Sequence, residues 1–149
     1  NWEFAPDFEI GFDFRYWHYQ VLQIQRSKLS QPLYNMTELA DPKNYSNSWN
    51  WCLGLYHRVT PTFEVMLGYQ QDFTPIPEQT FTLDNPSRDQ HGVGTGVRWQ
   101  AADEVRLGLA MVRNWFDLVD IQESRSVPPT NLKGHGGSLE IGFDVEWQL

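Results

Sequence analysis

The stretch that decides the fold is Asp72–Trp99, which reads DFTPIPEQTFTLDNPSRDQHGVGTGVRW. Its segment Phe73–Asp89 contains three prolines. Proline lacks the backbone N–H and holds the preceding residue extended, so a helix is excluded there. From about Gln90 the residues alternate in character with a period of two, which is typical of a β-strand. The stretch therefore predicts a long loop followed by a new strand.

Other segments show the same alternation. In the last one, apolar residues from Leu139 to Leu149 take every second position, and polar residues or glycine take the others. In the segment Trp17–Gln25 the alternation of polar and apolar residues is less regular, but we still predict an extended chain. With the strand that starts near Gln90, we predict six strands, the other five being Asp7–Tyr16, Ser48–His57, Thr62–Phe73, Glu104–Trp115 and Ser138–Leu149.

The connections between these strands alternate in length. Arg58–Pro61 and Gln100–Asp103 are short turns, whereas Ser27–Tyr45, Phe73–Asp89 and Phe116–Gly137 are long loops. Within the first long loop we predict one helical turn at residues 36–40. Outer-membrane barrels place long loops outside and short turns in the periplasm. The rhythm therefore favours an antiparallel transmembrane barrel with both ends of this segment on the periplasmic side.

Composition excludes several classes of protein. The net charge of −8 argues against a nucleic-acid partner, because such binders need a basic face. Mean hydropathy is −0.53, and no run of about eighteen apolar residues exists to form a transmembrane helix. Aromatic residues make up 15% of the chain, with seven Trp, and barrels use such residues as girdles at the membrane surface. The single Cys52 excludes an internal disulfide.

The two faces of the predicted strands differ in what they require. Acidic residues such as Glu140 and Asp144 share one face and belong in water, because burying them unpaired is costly. We expect the opposite face to meet lipid through Phe12, Leu67, Leu109 and Phe143. The alternative is a soluble sheet or lipocalin-like barrel whose apolar face packs on a core.

A family resemblance rests on the motif in the deciding stretch. Asp72, Thr74-Pro75-Ile76-Pro77, Pro86 and Asp89-Gln90-His91-Gly92 resemble the C-terminal part of the FadL/TodX outer-membrane transport family, with Gln90 where the family commonly has arginine. The resemblance implies a fourteen-stranded barrel of which residues 1–149 form the six C-terminal strands, the N-terminal plug and remaining strands being absent from this chain.

The resemblance also implies a function and a location. The protein is expected to pass long-chain fatty acids or other hydrophobic small molecules across the bacterial outer membrane, without catalysis and without a cofactor. Expected partners are membrane lipids and lipopolysaccharide, the hydrophobic ligand, and other protein chains if these complete or surround the barrel. The alternative is a barrel that acts as a scaffold or subunit of a larger secretion or surface assembly.

Candidate ligand and lumen residues come from the polar face. Glycines there either ease strand curvature or leave room for a ligand. An arginine among eight acidic residues either pairs across strands or meets a substrate carboxylate. The candidates are Arg15, Gly68, Gly94, Arg98, Arg106 and Gly108. The four scattered His and the single Cys have no metal-ligand spacing, so we expect no metal site. His135 lies three residues before Ser138, but the glycine-rich stretch around them is typical of a loop that enters a strand, so we expect no catalytic residue.

Overall fold

The computed structural model describes residues 2–33, 36–83, 86–126, 129 and 131–147. This part of the chain forms nine β-strands and two short 3-10 turns, at Tyr19–Val21 and Glu78–Thr80. The strands are Trp2–Ala5 (β1), Phe8–Trp17 (β2), Ile24–Leu33 (β3), Met36–Pro42 (β4), Ser48–Thr60 (β5), Phe63–Asp72 (β6), Gln90–Ala102 (β7), Val105–Ile121 (β8) and Leu132–Trp147 (β9). Among the described residues, no helix is long and apolar enough to cross a membrane.

Seven of these strands form one antiparallel sheet in the order β1-β2-β5-β6-β7-β8-β9. The six predicted strands correspond to β2 and β5 to β9, so this prediction is confirmed. The register keeps the alternation in phase from strand to strand. Gly68, for example, pairs with Gly54 on one side and Gly94 on the other. Apolar side chains consequently share one face of the sheet and polar side chains the other.

Several local predictions were wrong. The predicted loop Ser27–Tyr45 contains most of a hairpin, β3–β4, and residues 36–40 are extended rather than helical. The strand-like segment Trp17–Gln25 instead holds a 3-10 turn. Strands β8 and β9 continue past their predicted ends to Ile121 and from Leu132. The short β1 was not predicted, and Gln148 and Leu149 lie outside the described residues.

The apolar face of the sheet is uncovered. Phe12 is 67% exposed and Phe143 is 69% exposed, and Leu67 and Leu109 on strands between them are each at least half exposed. A soluble sheet would have to bury such a face, because every apolar side chain left in water forfeits its transfer free energy. The exposure therefore fits a face that contacts lipid.

A small hydrophobic core lies beyond the end of the sheet where the long loops connect the strands. It joins the end of β8 to the loop between β6 and β7. Each of its residues is less than 9% exposed: Tyr45, Ile76, Phe81, Val119 and Ile121. We call these five residues the loop core. It packs the long loops against one another, and Leu132 at the start of β9 contacts it.

Candidate functional site

A row of glycines crosses the polar face of the sheet. Gly11, Gly54, Gly68 and Gly94 are directly paired from β2 through β5 and β6 to β7. A β-carbon at Gly54 would meet no atom within 4 Å, and one at Gly68 would meet only the Leu53 carbonyl oxygen, at 3.8 Å. The row is therefore a strip of bare backbone, which we call the glycine groove.

Two recesses adjoin the glycine groove, one on each side of it. Both are lined by its four glycines and by Val112 of β8. The recess toward the loop end has a volume of about 600 Å³ and is also bounded by Asp13, Cys52 and Gln70. The recess toward the opposite end has a volume of about 540 Å³. Its further polar-face lining includes Glu9, Tyr56, Met66, Arg98, Gly108 and Asp144.

Not every glycine of the polar face leaves open space. At Gly108 the carboxylate of Asp144 on the neighbouring strand lies where a β-carbon would be. At Gly92 the same place is taken by the side chains of Asn114 and Gln70, which hydrogen-bond to each other across 2.9 Å. These two glycines accommodate polar neighbours, whereas Gly54 and Gly68 leave the wall bare.

Arg98 lines the recess of about 540 Å³ and has a carboxylate partner. Its Nη1 donates to Glu64 Oε2 over 3.3 Å, and Arg58 Nε lies 3.7 Å from the other oxygen of the same carboxylate. The Arg98 side chain remains 40% exposed, whereas that of Glu64 is 18% exposed. Glu64 is thus shared by two arginines, and Arg98 remains partly exposed in the lining of the recess.

The six predicted site residues separate into two groups. Gly68, Gly94, Arg98 and Gly108 line one recess together. Arg15 and Arg106 share the polar face but lie outside both recesses, and each has a carboxylate partner of its own. Arg15 Nε lies 2.8 Å from Asp13, and Arg106 Nη1 lies 3.3 Å from Glu146.

Arg58 was missed by sequence reasoning. The sequence pattern predicts a tight turn at Arg58, but β5 continues to Thr60 and carries Arg58 on the polar face opposite Glu64. The signal was present in the sequence, because Arg58 is in phase with Gly54 and Tyr56.

Among the described residues, no group of at least three His, Cys, Asp or Glu side chains is placed to hold a metal ion.

The motif of the deciding stretch closes the loop between β6 and β7. The backbone N–H of Thr74 donates to Asp89 Oδ1 over 2.8 Å, and the Thr74 hydroxyl donates to the carbonyl oxygen of Ser87 over 3.1 Å. Ile76 then enters the loop core with 4% of its surface exposed. The Thr80 hydroxyl donates to the Lys43 carbonyl oxygen over 2.7 Å, which fastens this loop to the end of the β3–β4 hairpin.

Aromatic side chains cluster toward the loop end of the apolar face. Trp49 stacks on Phe73 with ring centres 4.0 Å apart, and His91 stacks on Trp115 at 5.4 Å. Aromatic rings at this position mark the surface of a membrane, where one part of the ring meets hydrocarbon and the other meets water. An apolar band with an aromatic girdle, a wet opposite face and antiparallel strands define the wall of a membrane-spanning β-barrel.

Comparison with known proteins places this wall in a family. The model of the family described as outer membrane protein transport protein (OMPP1/FadL/TodX) matches residues 1–145. The chain belongs to this family of outer-membrane proteins, as the resemblance implied. Comparison with curated proteins gave no match.

A solved structure shows the same fold. The chain is similar to the crystal structure of a Pseudomonas aeruginosa FadL homologue, with a TM-score of 0.73 and 18% sequence identity. The similarity covers 96% of this chain and 32% of that chain. This chain thus spans about a third of the length of that homologue.

Proposed function

We propose that this chain forms part of the wall of an outer-membrane barrel that passes long-chain fatty acids or other hydrophobic small molecules. In the sheet of the described residues, β1 and β9 are opposite edges and do not pair with each other. Open edges leave N–H and C=O groups unpaired, which is costly in lipid. We propose that further strands, from the same polypeptide or a partner chain, close the barrel, and that the long loops face outside.

The observation that supports transport is the glycine groove. Neighbouring strands lie about 4.8 Å apart, so four glycines in a row give a strip roughly 14 Å long without side chains. The adjoining recesses, of about 540 and 600 Å³, lie in the size range of small-molecule sites. A flexible acyl chain fits such a strip, because methylene groups need contact area and no specific hydrogen bonds.

Arg98 is the candidate contact for a carboxylate head group. It faces the groove side of the sheet at 40% side-chain exposure, and Glu64 retains Arg58 as a second partner if Arg98 turns to a ligand. Glu9 and Asp144 line the same recess and repel an anion. A carboxylate would therefore be held at the Arg98 end, while the acyl chain follows the glycines.

Filling the groove tests this proposal. We expect Gly68→Leu in the full-length protein to reduce uptake of a labelled long-chain fatty acid several-fold at equal surface expression, because the new side chain projects into both recesses. Gly142→Leu is the matched control, since Gly142 is on the same face with nothing within 4 Å of its β-carbon position and lies outside both recesses.

Three outcomes distinguish transport along the groove from the alternatives. Loss of uptake with Gly68→Leu alone supports passage along the groove. Equal uptake by both variants and the wild type contradicts a role for the groove. If the wild-type protein takes up no hydrophobic compound yet co-purifies with a secretion or surface assembly, the scaffold function replaces transport.

A further inference from the structure

Arg113 on β8 lies on the apolar face of the sheet. Its directly paired neighbours are Val93 on β7 and Leu139 on β9, both apolar. The strands of the seven-stranded sheet carry five arginines, all within the described residues. The four on the polar face (Arg15, Arg58, Arg98 and Arg106) each have a carboxylate within 4.0 Å. No ion pair with a described carboxylate forms at Arg113.

The guanidinium of Arg113 points toward the loop end of the sheet. Its Cζ lies 5.6 Å from the centre of the Trp115 ring, within the range of a cation–π contact. Its Nη2 lies 3.5 Å from the place that a β-carbon on Gly137 would occupy. The cation is therefore held between an aromatic ring and bare backbone, with its side chain exposed.

The depth of Arg113 follows from strand geometry. Arg113 is four residues from Leu109, which lies near the middle of the apolar part of β8. Four residues of a strand cover about 14 Å, or roughly 10 Å along the membrane normal at the usual tilt. The apolar band extends about 12 Å from its middle, so a side chain that also reaches toward the loops brings its charge to the membrane surface.

We propose that Arg113, framed by Trp115 and Gly137, binds a phosphate group of lipid A, the lipid anchor of lipopolysaccharide. Guanidinium forms paired, charge-assisted hydrogen bonds with phosphate oxygens, and here no described carboxylate competes for it. With the long loops outside, this end of the sheet meets the outer leaflet. The apolar side chains below Arg113, including Met111, Leu109 and Ile141, then contact the acyl chains of the same lipid. This contact does not depend on transport.

Lipid titration of the full-length protein, purified free of bound lipopolysaccharide, tests the proposal. Native mass spectrometry would measure binding of bisphosphorylated lipid A, of dephosphorylated lipid A and of phosphatidylglycerol. We expect Arg113→Gln to weaken binding of lipid A by about tenfold, as loss of a hydrogen bond to a charged group predicts. Arg113→Lys should bind lipid A with intermediate affinity, because an ammonium keeps the positive charge but cannot form the paired hydrogen bonds of a guanidinium. The matched control is Arg26→Gln, because Arg26 is an exposed arginine of the β3–β4 hairpin paired with Glu38.

Each comparison has a contradicting result. Wild-type affinity in Arg113→Gln overturns the proposal. Equal binding of lipid A with and without its phosphates overturns phosphate recognition, and this comparison needs no variant. Equal or tighter binding of phosphatidylglycerol overturns the assignment to lipid A. If Arg113→Gln does not fold, the proposal is still tested by Arg113→Lys and by the wild-type titrations with lipid A, dephosphorylated lipid A and phosphatidylglycerol.

Discussion

The backbone N–H of Thr74 donates a hydrogen bond to Oδ1 of Asp89 over 2.8 Å, across a loop that separates them by fifteen residues. Both residues belong to the motif that relates this chain to its family. The bond closes the loop immediately outside the sheet, so that Ile76 and Phe81 reach the loop core. The motif thus has a structural role that does not require contact with a ligand.

The first prediction concerns this closure. Asp89→Ala removes the charged acceptor and should lower the free energy of local opening of residues 73–83 by about 1.5–3 kcal/mol. Hydrogen exchange of the Thr74 and Ile76 amides in the full-length protein would measure it. Asp103→Ala, in the turn between β7 and β8, should leave these amides unchanged, and unchanged exchange in Asp89→Ala as well would refute the role of the bond.

The second prediction compares the two faces of β9. Phe143→Arg places a charge near the middle of the lipid-facing band and should lower the free energy of unfolding by about 2–4 kcal/mol. Gly142→Arg, one residue away, points to the polar face and should cost far less. Guanidinium unfolding of the full-length protein in lipid vesicles would measure both values. Similar losses for the two variants would mean that the faces are not divided between lipid and water.

The third prediction fixes the orientation in the membrane. Single cysteines at Leu83, which is 70% exposed in the loop between β6 and β7, and at Ala102, at the opposite end of β7, are introduced without Cys52. A membrane-impermeant thiol reagent on intact cells should label the cysteine at position 83 and spare the one at position 102. The reverse pattern would place the long loops and the chain termini on the sides opposite to those we propose.

The fourth prediction concerns Arg98. Arg98→Gln should raise the concentration of a long-chain fatty acid needed for half-maximal binding by about tenfold, because a charge-assisted pair is lost. The same change should leave binding of a hydrocarbon without a carboxylate unaffected. Binding to the purified full-length protein would be measured with both ligands. If the two affinities change equally, Arg98 acts only through its pair with Glu64 and stabilises the wall.

The fifth prediction concerns pH at the outer part of the β8–β9 hairpin. The Lys133 ammonium lies 2.8 Å from Asp120, and its hydrogen bond lowers the pKa of Asp120 below the ordinary value of 3.8. The stabilising effect is therefore complete above that value and is lost as pH falls through the lower pKa of the folded state. Amide protection of residues 119–121 should fall on acidification below about pH 4. Asp120→Asn should lose this dependence, and a persistent dependence would assign it to another group.

The strands of the membrane part were predictable because their two faces meet different solvents. Each residue of β9 from Leu139 to Trp147 faces either lipid or water, so polarity alternates at every step. Beyond this band the rule fails. Both faces of the β3–β4 hairpin are largely exposed to water, and its sequence consequently shows no alternation that separates it from a loop.

The sequence alone determined the six strands, the two faces and the family, since these follow from local periodicity and from one motif. Only the tertiary structure decided which residues meet. The register of five strands places Gly68 and Gly94 in one row and Asp144 next to Gly108. It also places Glu64 within reach of both Arg58 and Arg98. Strand pairing depends on contacts between residues far apart in the chain, and a period of two excludes a register slip of one residue but not a slip of two.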